Sequence, residues 1–167
     1  MGKNPSTFKG RIRPVERVSW YDAVEFCNKL SEKKGLQKAY SGSGDSITCN
    51  FNSNGYRLPT VAEWEYAVRG GNKSAVYIFS GSDNLELVAW YKENSGDETQ
   101  DVGTKNPNEL GLYDMSGNLW EWCWDFDFRK DFRDLRGGSW DSDQERCRVT
   151  YDSGFSSEAR TEIFGFR

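Results

Sequence analysis

Four cysteines carry most of the reactive chemistry that this sequence offers, and they lie far apart in the chain. They are Cys27, Cys49, Cys123 and Cys147. No two of them form a Cys-x-x-Cys pair, which excludes a zinc knuckle or a thioredoxin-type redox motif. Four cysteines permit three disulfide pairings, and the sequence does not choose among them. We favour buried free thiols in a packed core over any of these pairings.

Histidine is absent from all 167 residues. This absence excludes Ser-His and Cys-His nucleophile pairs, histidine acid/base chemistry, and zinc or iron sites built on histidine.

A second group of reactive side chains is acidic, and its members resemble the paired carboxylates of glycosidases. They are Asp125, Asp127, Asp131 and Asp134. Basic residues are interleaved with them at Arg129, Lys130 and Arg133, which favours a solvated charged loop.

The composition limits the partners that this chain can take. It has 22 basic and 26 acidic side chains, which argues against the clustered positive charge of nucleic-acid binding. The apolar runs are far shorter than the roughly 18 residues that span a bilayer, so we expect no membrane insertion by this segment.

Only 36% of the residues are hydrophobic, yet there are 7 Trp, 8 Tyr and 10 Phe. Disordered chains are poor in aromatic residues, so we expect a core of few, large rings.

Two helices are predicted in the first half of the chain. Ser19 is a good N-cap with an acidic residue three positions later, and apolar residues then recur at helical spacing until Gly35. Thr60 and Glu63 form a second capping box, and the apolar face that follows ends at Gly70.

Strands and loops fill the rest of the chain. The segment from Trp120 to Phe128 alternates aromatic rings with Glu, Cys and Asp, which predicts a strand with one wholly aromatic face. The segment from Leu36 to Ser46 is polar and rich in Gly and Ser, which predicts a loop. Apolar residues alternate from Ile47 to Phe51, which predicts a second strand. The fold class is therefore α+β, with two helices, short strands and long loops.

Seven longer motifs follow one another along the chain. They are Val18-Ser19-Trp20-Tyr21-Asp22-Ala23, Gly55-Tyr56-Arg57-Leu58-Pro59-Thr60, Glu63-Trp64-Glu65-Tyr66-Ala67, Gly111-Leu112-Tyr113-Asp114-Met115, Gly117-Asn118-Leu119-Trp120-Glu121-Trp122, Arg136-Gly137-Gly138-Ser139-Trp140 and Gly165-Phe166-Arg167. Because of the order and the residues of these motifs, the chain resembles the formylglycine-generating-enzyme (sulfatase-modifying factor) type of domain. The resemblance implies a single domain over residues 1–167 with a C-type-lectin-like fold.

The resemblance also locates the positions where catalysis would take place. Active members carry two cysteines after the Gly-Gly-Ser-aromatic motif, and this thiolate pair binds copper. In this sequence the second position is Cys147, but the first is Ser142. A hydroxyl is a poor ligand for a soft metal and cannot form a disulfide. We therefore expect no copper and no catalysis; the alternative is a copper-dependent oxidase that converts a substrate cysteine to formylglycine.

A subset of this family, the retroelement-diversified variable proteins, implies a different use of residues 137–167. In that subset, chosen codons between a Gly-Gly-Ser-Trp-like motif and a final Gly-Phe-Arg are rewritten to alter a binding surface. The residues between these motifs suit recognition, because they combine rigid rings with charged and small side chains. The predicted surface consists of Trp140, Asp141, Asp143, Tyr151, Asp152, Ser153, Gly154, Phe155, Ala159, Thr161 and Glu162.

These observations predict a non-catalytic, ligand-binding protein whose C-terminal segment is the binding face. We expect an unidentified protein or glycan ligand, a monomer, and a location at the cell surface or otherwise outside the cytoplasm. No signal-peptide pattern opens the chain, so we expect any export signal to lie outside it. A plain structural domain is a further alternative, in which the C-terminal segment is an ordinary loop.

The resemblance implies a calcium site as well. Family members with calcium place an Asn or Asp side chain, two backbone carbonyls and a Glu carboxylate around a Gly-Asn-x-Trp-Glu motif. In this chain these groups are Asp114, the carbonyls of Gly117 and Leu119, and Glu121. Oxygen ligands of this kind suit Ca²⁺. The alternative is that Asp114 and Glu121 hydrogen-bond the backbone in a loop core.

Overall fold

The first helix, α1 (Trp20–Lys33), begins and ends where the sequence predicts. This computed structural model describes residues 4–127 and 132–167. The Ser19 hydroxyl accepts the Asp22 N–H at 3.1 Å, and the Asp22 carboxylate accepts the Ser19 N–H at 2.9 Å. Beyond the helix, Gly35 has a left-handed backbone with φ 69°, a conformation that glycine adopts without steric cost.

The second helix, α2 (Val61–Val68), follows the second predicted capping box. Thr60 and Glu63 exchange hydrogen bonds in the same reciprocal way. A residue distant in sequence completes this end, because the Asp125 carboxylate accepts the first helical N–H at 2.8 Å. A third helical segment, α3 (Leu85–Val88), is a single turn that the sequence did not predict. Within the described ranges, no helix is long and apolar enough to cross a bilayer.

Within residues 4–127 and 132–167, eight short strands form three small sheets. They are β1 (Tyr40–Ser41), β2 (Thr48–Cys49), β3 (Ala89–Trp90), β4 (Ser116–Gly117), β5 (Trp120–Phe126), β6 (Arg133–Arg136), β7 (Asp152–Phe155) and β8 (Phe164–Gly165). β1 pairs antiparallel with β2, and β3 pairs parallel with β4. The largest sheet has the order β7-β6-β5-β8, in which only the β5–β8 pair is parallel. The α+β prediction is confirmed.

Strand β5 is the centre of the molecule, and both of its faces are covered. Trp120 and Trp122 pack into one core together with α1, whereas Cys123 packs into another with Trp64 of α2. The alternating pattern therefore predicted the strand correctly. Burial falls along the strand, because Trp122 is fully buried whereas Phe126 is 52% exposed. Phe128 lies outside the described residues.

The predicted loop from Leu36 to Ser46 contains β1, which corrects that prediction. The side chain of Asn28 binds both backbone groups of Tyr40, at 2.9 and 3.1 Å. The Tyr40 ring is buried and stacks on Trp124 with centroids 5.2 Å apart. These contacts hold a polar segment in strand pairing, and its composition does not reveal them. The alternating segment from Ile47 to Phe51 contributes only the two residues of β2.

The acidic and basic series that begins at Asp125 is not a solvated loop where the structure describes it. Arg133 and Asp134 belong to β6 and are 5% and 6% exposed. The Arg133 guanidinium donates to the Trp124 carbonyl at 2.7 Å, and Asp127 is buried as well. The prediction was wrong because β6 pairs on both sides, with β5 and with β7, which removes its charged residues from water. Arg129, Lys130 and Asp131 lie outside the described residues.

Candidate functional site

The C-terminal segment, residues 137–167, is fixed to the scaffold at separate points. Cys147 and Val149 are buried in two different cores. Arg160 binds the Asp22 carboxylate with an N–O distance of 2.6 Å, and Arg167 binds Glu121 at 2.8 Å. Gly165 lies so close to the backbone that a Cβ atom would come within 3.0 Å of the Val15 carbonyl oxygen. The chain between these points is therefore held at both ends.

Strand β7 carries four of the predicted surface residues at the edge of the largest sheet. Asp152 and Phe155 are exposed, and Ser153 is half-buried. Gly154 is buried, and a Cβ atom there would come within 2.6 Å of the Asp127 carboxylate. Gly154 consequently leaves room for the Asp127 side chain and offers no side-chain contact area of its own.

Trp140 and Glu162 are joined on the surface of the molecule. The Trp140 indole N–H donates to the Glu162 carbonyl oxygen at 3.0 Å. The Trp140 backbone is held as well, because its N–H donates to Asn118 and its carbonyl accepts from Ser95. The ring meets that of Phe8 edge-on at 5.6 Å. Trp140 is thus a scaffold residue whose half-buried ring remains available at one side.

The other predicted surface residues differ in burial. Asp141, Asp143 and Glu162 are exposed, and Asp143 forms a 3.8 Å ion pair with Arg146. Thr161 is half-buried, and its carbonyl accepts the Arg17 N–H. Tyr151 and Ala159 are also half-buried and pack against the core that contains α1. These last two support the segment more than they extend from it.

A groove of about 1270 Å³ lies elsewhere, between α1, the N-terminal segment and the two residues that follow β8. Its walls are largely apolar and include Pro14, Val15, Phe26, Leu112, Tyr113 and Phe166. None of the eleven predicted surface residues lines it among the residues that the structure describes. No spacing in the sequence brings these side chains together, since they come from four separate stretches of chain.

Ser142 and Cys147, the two positions where the family carries catalytic cysteines, are both buried. The Ser142 hydroxyl oxygen accepts the Ser139 N–H at 2.9 Å and lies 3.1 Å from the Ser139 hydroxyl. Burial raises the pKa of the Cys147 thiol to about 12. A thiol of this kind is a poor nucleophile and a poor metal ligand, because both roles require the thiolate. All four cysteines are free, and only Cys49 is not fully buried.

The groups of the predicted calcium site fit a metal ion only in part. One oxygen of Asp114 is buried without a hydrogen-bond partner in the described chain, and a carboxylate oxygen is a ligand of the kind that calcium takes. Burial raises the pKa of Asp114, and Arg167 and the Gly103 N–H oppose that effect. Glu121 does not offer free oxygens, since one accepts the Trp64 indole N–H and both accept the Arg167 guanidinium. Among the described residues, no three His, Cys, Asp or Glu side chains are grouped to hold a metal.

Comparison with known proteins identifies the family. The pattern of the sulfatase-modifying factor enzyme 1-like domain matches residues 1–167. The chain belongs to this family. The solved structure of Treponema denticola variable protein 1 superimposes with a TM-score of 0.92 and 36% identity, over 99% of this chain and 77% of that one. The C-type-lectin-like fold and the resemblance to variable proteins are both confirmed.

Sequence relatives in the sulfatase-modifying factor family carry several different names. Chaperone protein LppX of Paenibacillus barcinonensis is 41% identical over 204 aligned residues, which cover 100% of this chain and 73% of that protein. Inactive C-alpha-formylglycine-generating enzyme 2 of Bos taurus is 33% identical, over 92% of this chain and 56% of that protein. The formylglycine-generating enzyme of Streptomyces coelicolor is 32% identical, over 92% and 51%. The chain thus spans about half to three quarters of these relatives.

Proposed function

We propose that this protein is a non-catalytic, receptor-like domain whose C-terminal segment, residues 137–167, presents a diversifiable binding surface. The observation that carries the proposal is that some side chains of that segment anchor it to the scaffold while others are exposed and make no side-chain hydrogen bonds to the described part of the chain. Cys147, Val149, Arg160 and Arg167 hold it in place through buried or ion-paired side chains. Asp141, Asp152 and Glu162 are exposed, and none has a side-chain hydrogen bond within residues 4–127 and 132–167. Substitution there would leave the scaffold intact, as a variable surface requires.

The relatives support this assignment at the level of class. The resemblance to a variable protein extends over almost the whole chain, and two mammalian relatives are named inactive forms of the formylglycine-generating enzyme. Ser142 points in the same direction, because it takes part in a buried hydroxyl pair with Ser139 where active members have a cysteine.

Diversification has a direct genetic test. We expect a near-identical repeat of the codons for residues 137–167 in the neighbouring DNA, differing only at adenines, beside a reverse-transcriptase gene. Isolates should then differ at the codons for Asp141, Asp152, Phe155 and Glu162, and agree at those for Cys147 and Arg160. If neither the repeat nor the reverse transcriptase is present, the segment is an ordinary loop and the domain has a structural role.

Ligand binding is tested on arrays of glycans and of extracellular proteins. The informative variant is Asp152→Ala/Phe155→Ser, which changes exposed side chains on the edge strand. The matched control is Leu87→Ser, because Leu87 is 49% exposed and Phe155 48%, but Leu87 lies on α3. We expect the β7 variant to lose the array signals that the wild type and the control retain. Equal signals from all three proteins would place binding elsewhere.

The absence of catalysis is tested with a Cys-x-Pro-x-Arg peptide in the presence of copper and oxygen. We expect the peptide cysteine to remain unmodified by mass spectrometry. The Ser142→Cys variant, which restores the thiol at the family position, is the matched comparison. Formation of formylglycine by the wild-type protein would instead support the oxidase alternative.

A chaperone role is the second candidate, and the apolar groove favours it. A relative named as a chaperone protein matches the whole chain, and the groove walls include the exposed Phe26 and Val15. An unfolded client would place apolar side chains against these walls. If so, the wild type suppresses aggregation of chemically denatured citrate synthase, Phe26→Asp loses this effect, and Leu87→Asp keeps it. Binding at β7 would be unaffected by Phe26→Asp.

We also propose that the protein is exported or displayed at the cell surface and acts as a monomer, since a receptor surface must meet its ligand outside the cell. Protease added to intact cells should degrade it, and light scattering of the purified domain should give the monomer mass. Protection from protease in intact cells, with digestion after lysis, would place it inside.

A further inference from the structure

Glu121 lies near the start of β5, and its carboxylate is heavily hydrogen-bonded and almost fully buried. Its side chain is 9% exposed. One oxygen accepts two donors of the Arg167 guanidinium, at 2.8 and 3.1 Å. The other accepts the Trp64 indole N–H at 2.8 Å and one Arg167 donor at 3.3 Å. This carboxylate is therefore neutralised and satisfied by the protein itself.

The Arg167 guanidinium also contacts the loop that carries Asp114. The same terminal nitrogen that binds Glu121 donates to the Tyr113 carbonyl at 2.8 Å. The guanidinium thus contacts a carboxylate and the backbone carbonyl of the residue before Asp114, and a hard cation would contact oxygen groups of the same kind.

We infer that the Arg167 guanidinium takes the place of a metal ion at Asp114 and Glu121, so that this part of the fold is held by an internal cation. A calcium ion would need oxygen ligands at about 2.3–2.6 Å, whereas the Glu121 oxygens already face N–H donors. A metal ion and the guanidinium would moreover repel each other at such short range.

The internal cation has a structural consequence that a metal ion would not have. Arg167 is 46 residues from Glu121 in sequence, and it follows β8, the strand that pairs parallel with β5. The ion pair therefore ties the end of residues 137–167 to the Asp114 loop. A metal ligated only by that loop and Glu121 would not supply this link, and the pairing of β8 with β5 would hold this end of the segment without it.

The first test is thermal unfolding with chelator and with calcium, for wild type, Arg167→Met and Arg167→Lys. We expect the wild-type melting temperature to be the same in EDTA and in calcium. Arg167→Met keeps most of the unbranched stem of the side chain but removes the charge, so we expect a loss on the order of 2–4 °C in EDTA, recovered by calcium and not by magnesium. Arg167→Lys keeps a cation and should show no calcium response. The control Arg160→Met breaks a different ion pair at the groove and should show no calcium response.

The second test uses terbium(III), which replaces calcium and emits when a nearby indole is excited. Trp64 donates to Glu121, so a lanthanide bound at this carboxylate would lie beside an indole. We expect no sensitised emission from the wild type, emission from Arg167→Met, and loss of that emission in Arg167→Met/Glu121→Gln.

Two results would overturn the inference. One is a calcium-dependent rise in melting temperature, or sensitised terbium emission, in the wild-type protein. The other is an Arg167→Met protein that folds, shown by its circular dichroism, but responds to neither ion. If Arg167→Met does not fold, the wild-type and Arg167→Lys measurements still decide the question, because both must be insensitive to calcium.

Discussion

The Arg133 guanidinium carbon lies 3.7 Å from the ring centroid of Trp20, and the same distance separates it from the ring of Phe126. Trp20 begins α1 and Phe126 ends β5, so one buried cation joins the helix to the central strand. Burial lowers the pKa of Arg133 to about 10, so the side chain stays charged at neutral pH. The attraction between the guanidinium and the faces of the two rings offsets part of the hydration that the guanidinium loses on burial.

Removal of this cation should destabilise the fold. We expect Arg133→Ala to lower the free energy of unfolding by about 2–3 kcal/mol, because it removes the contacts with the rings and the packing of the side-chain stem. The matched control is Arg146→Ala, whose side chain is 54% exposed in a 3.8 Å ion pair and should cost less than about 1 kcal/mol. Chemical unfolding measures both, and equal effects would contradict the role assigned to Arg133.

Asn118 should be as important as a core residue. Its amide oxygen accepts the Gln100 N–H and its amide nitrogen donates to the Gln100 carbonyl, both at 3.1 Å. Its own backbone is left-handed, with φ 61°. We expect Asn118→Ala to cost about 2–4 kcal/mol, because it combines two lost buried hydrogen bonds with backbone strain.

Asn118→Gly separates these two contributions. Glycine accepts the left-handed backbone, so this variant should be more stable than Asn118→Ala by about 1 kcal/mol. Asn52→Ala, at an exposed position, is the control and should have little effect. If the glycine variant is the less stable of the two, backbone strain is not part of the cost.

The stability of the fold should depend on pH through Asp134. Burial, the largest cause, raises the pKa of this carboxyl to about 6, although Arg136 opposes the effect. The folded chain therefore binds the proton more tightly than the unfolded chain, whose Asp has a pKa of about 3.9. The resulting stabilisation is fully present below about pH 4 and is lost as the pH rises through about 6.

The experiment compares wild type with Asp134→Asn from pH 4 to pH 7. The wild type should lose about 1–3 kcal/mol relative to the variant over this range. Asp143→Asn, an exposed substitution, should follow the wild type. A constant difference between wild type and Asp134→Asn would show that Asp134 titrates normally.

Thiol labelling should separate the four cysteines by burial. In the native protein we expect a thiol reagent to modify Cys49 first, because Cys27, Cys123 and Cys147 are buried. Burial also raises the pKa of Cys27 to about 11 and that of Cys147 to about 12. Mass spectrometry of digests identifies the modified residue, and unfolding should expose all four. Rapid labelling of Cys147 in the native protein would show that this thiol is accessible, and would favour the alternative that the protein is a formylglycine-forming oxidase.

Part of this structure can be predicted from short stretches of sequence. Ser19 and Thr60 mark the starts of both longer helices, because a capping box involves only residues three positions apart. The alternation after Trp120 likewise predicts β5, since side chains of a strand point to opposite faces. The ordered motifs identify the family, and with it the fold, although no single motif does so.

The rest was decided by contacts between distant residues. Arg133 and Asp134 have the composition of a solvated loop, and only pairing of β6 with both neighbours buries them. Tyr40 lies in a Gly/Ser-rich stretch, yet Asn28 holds it in a strand.

The same division holds at the functional site. The sequence determined that Ser142 replaces a cysteine and that exposed residue types fill the C-terminal segment. Only the tertiary structure brought Arg167 to Glu121, across 46 residues. Local hydrogen bonds and side-chain periodicity are visible in neighbouring residues, but the environment of a charged side chain depends on which strands pack around it.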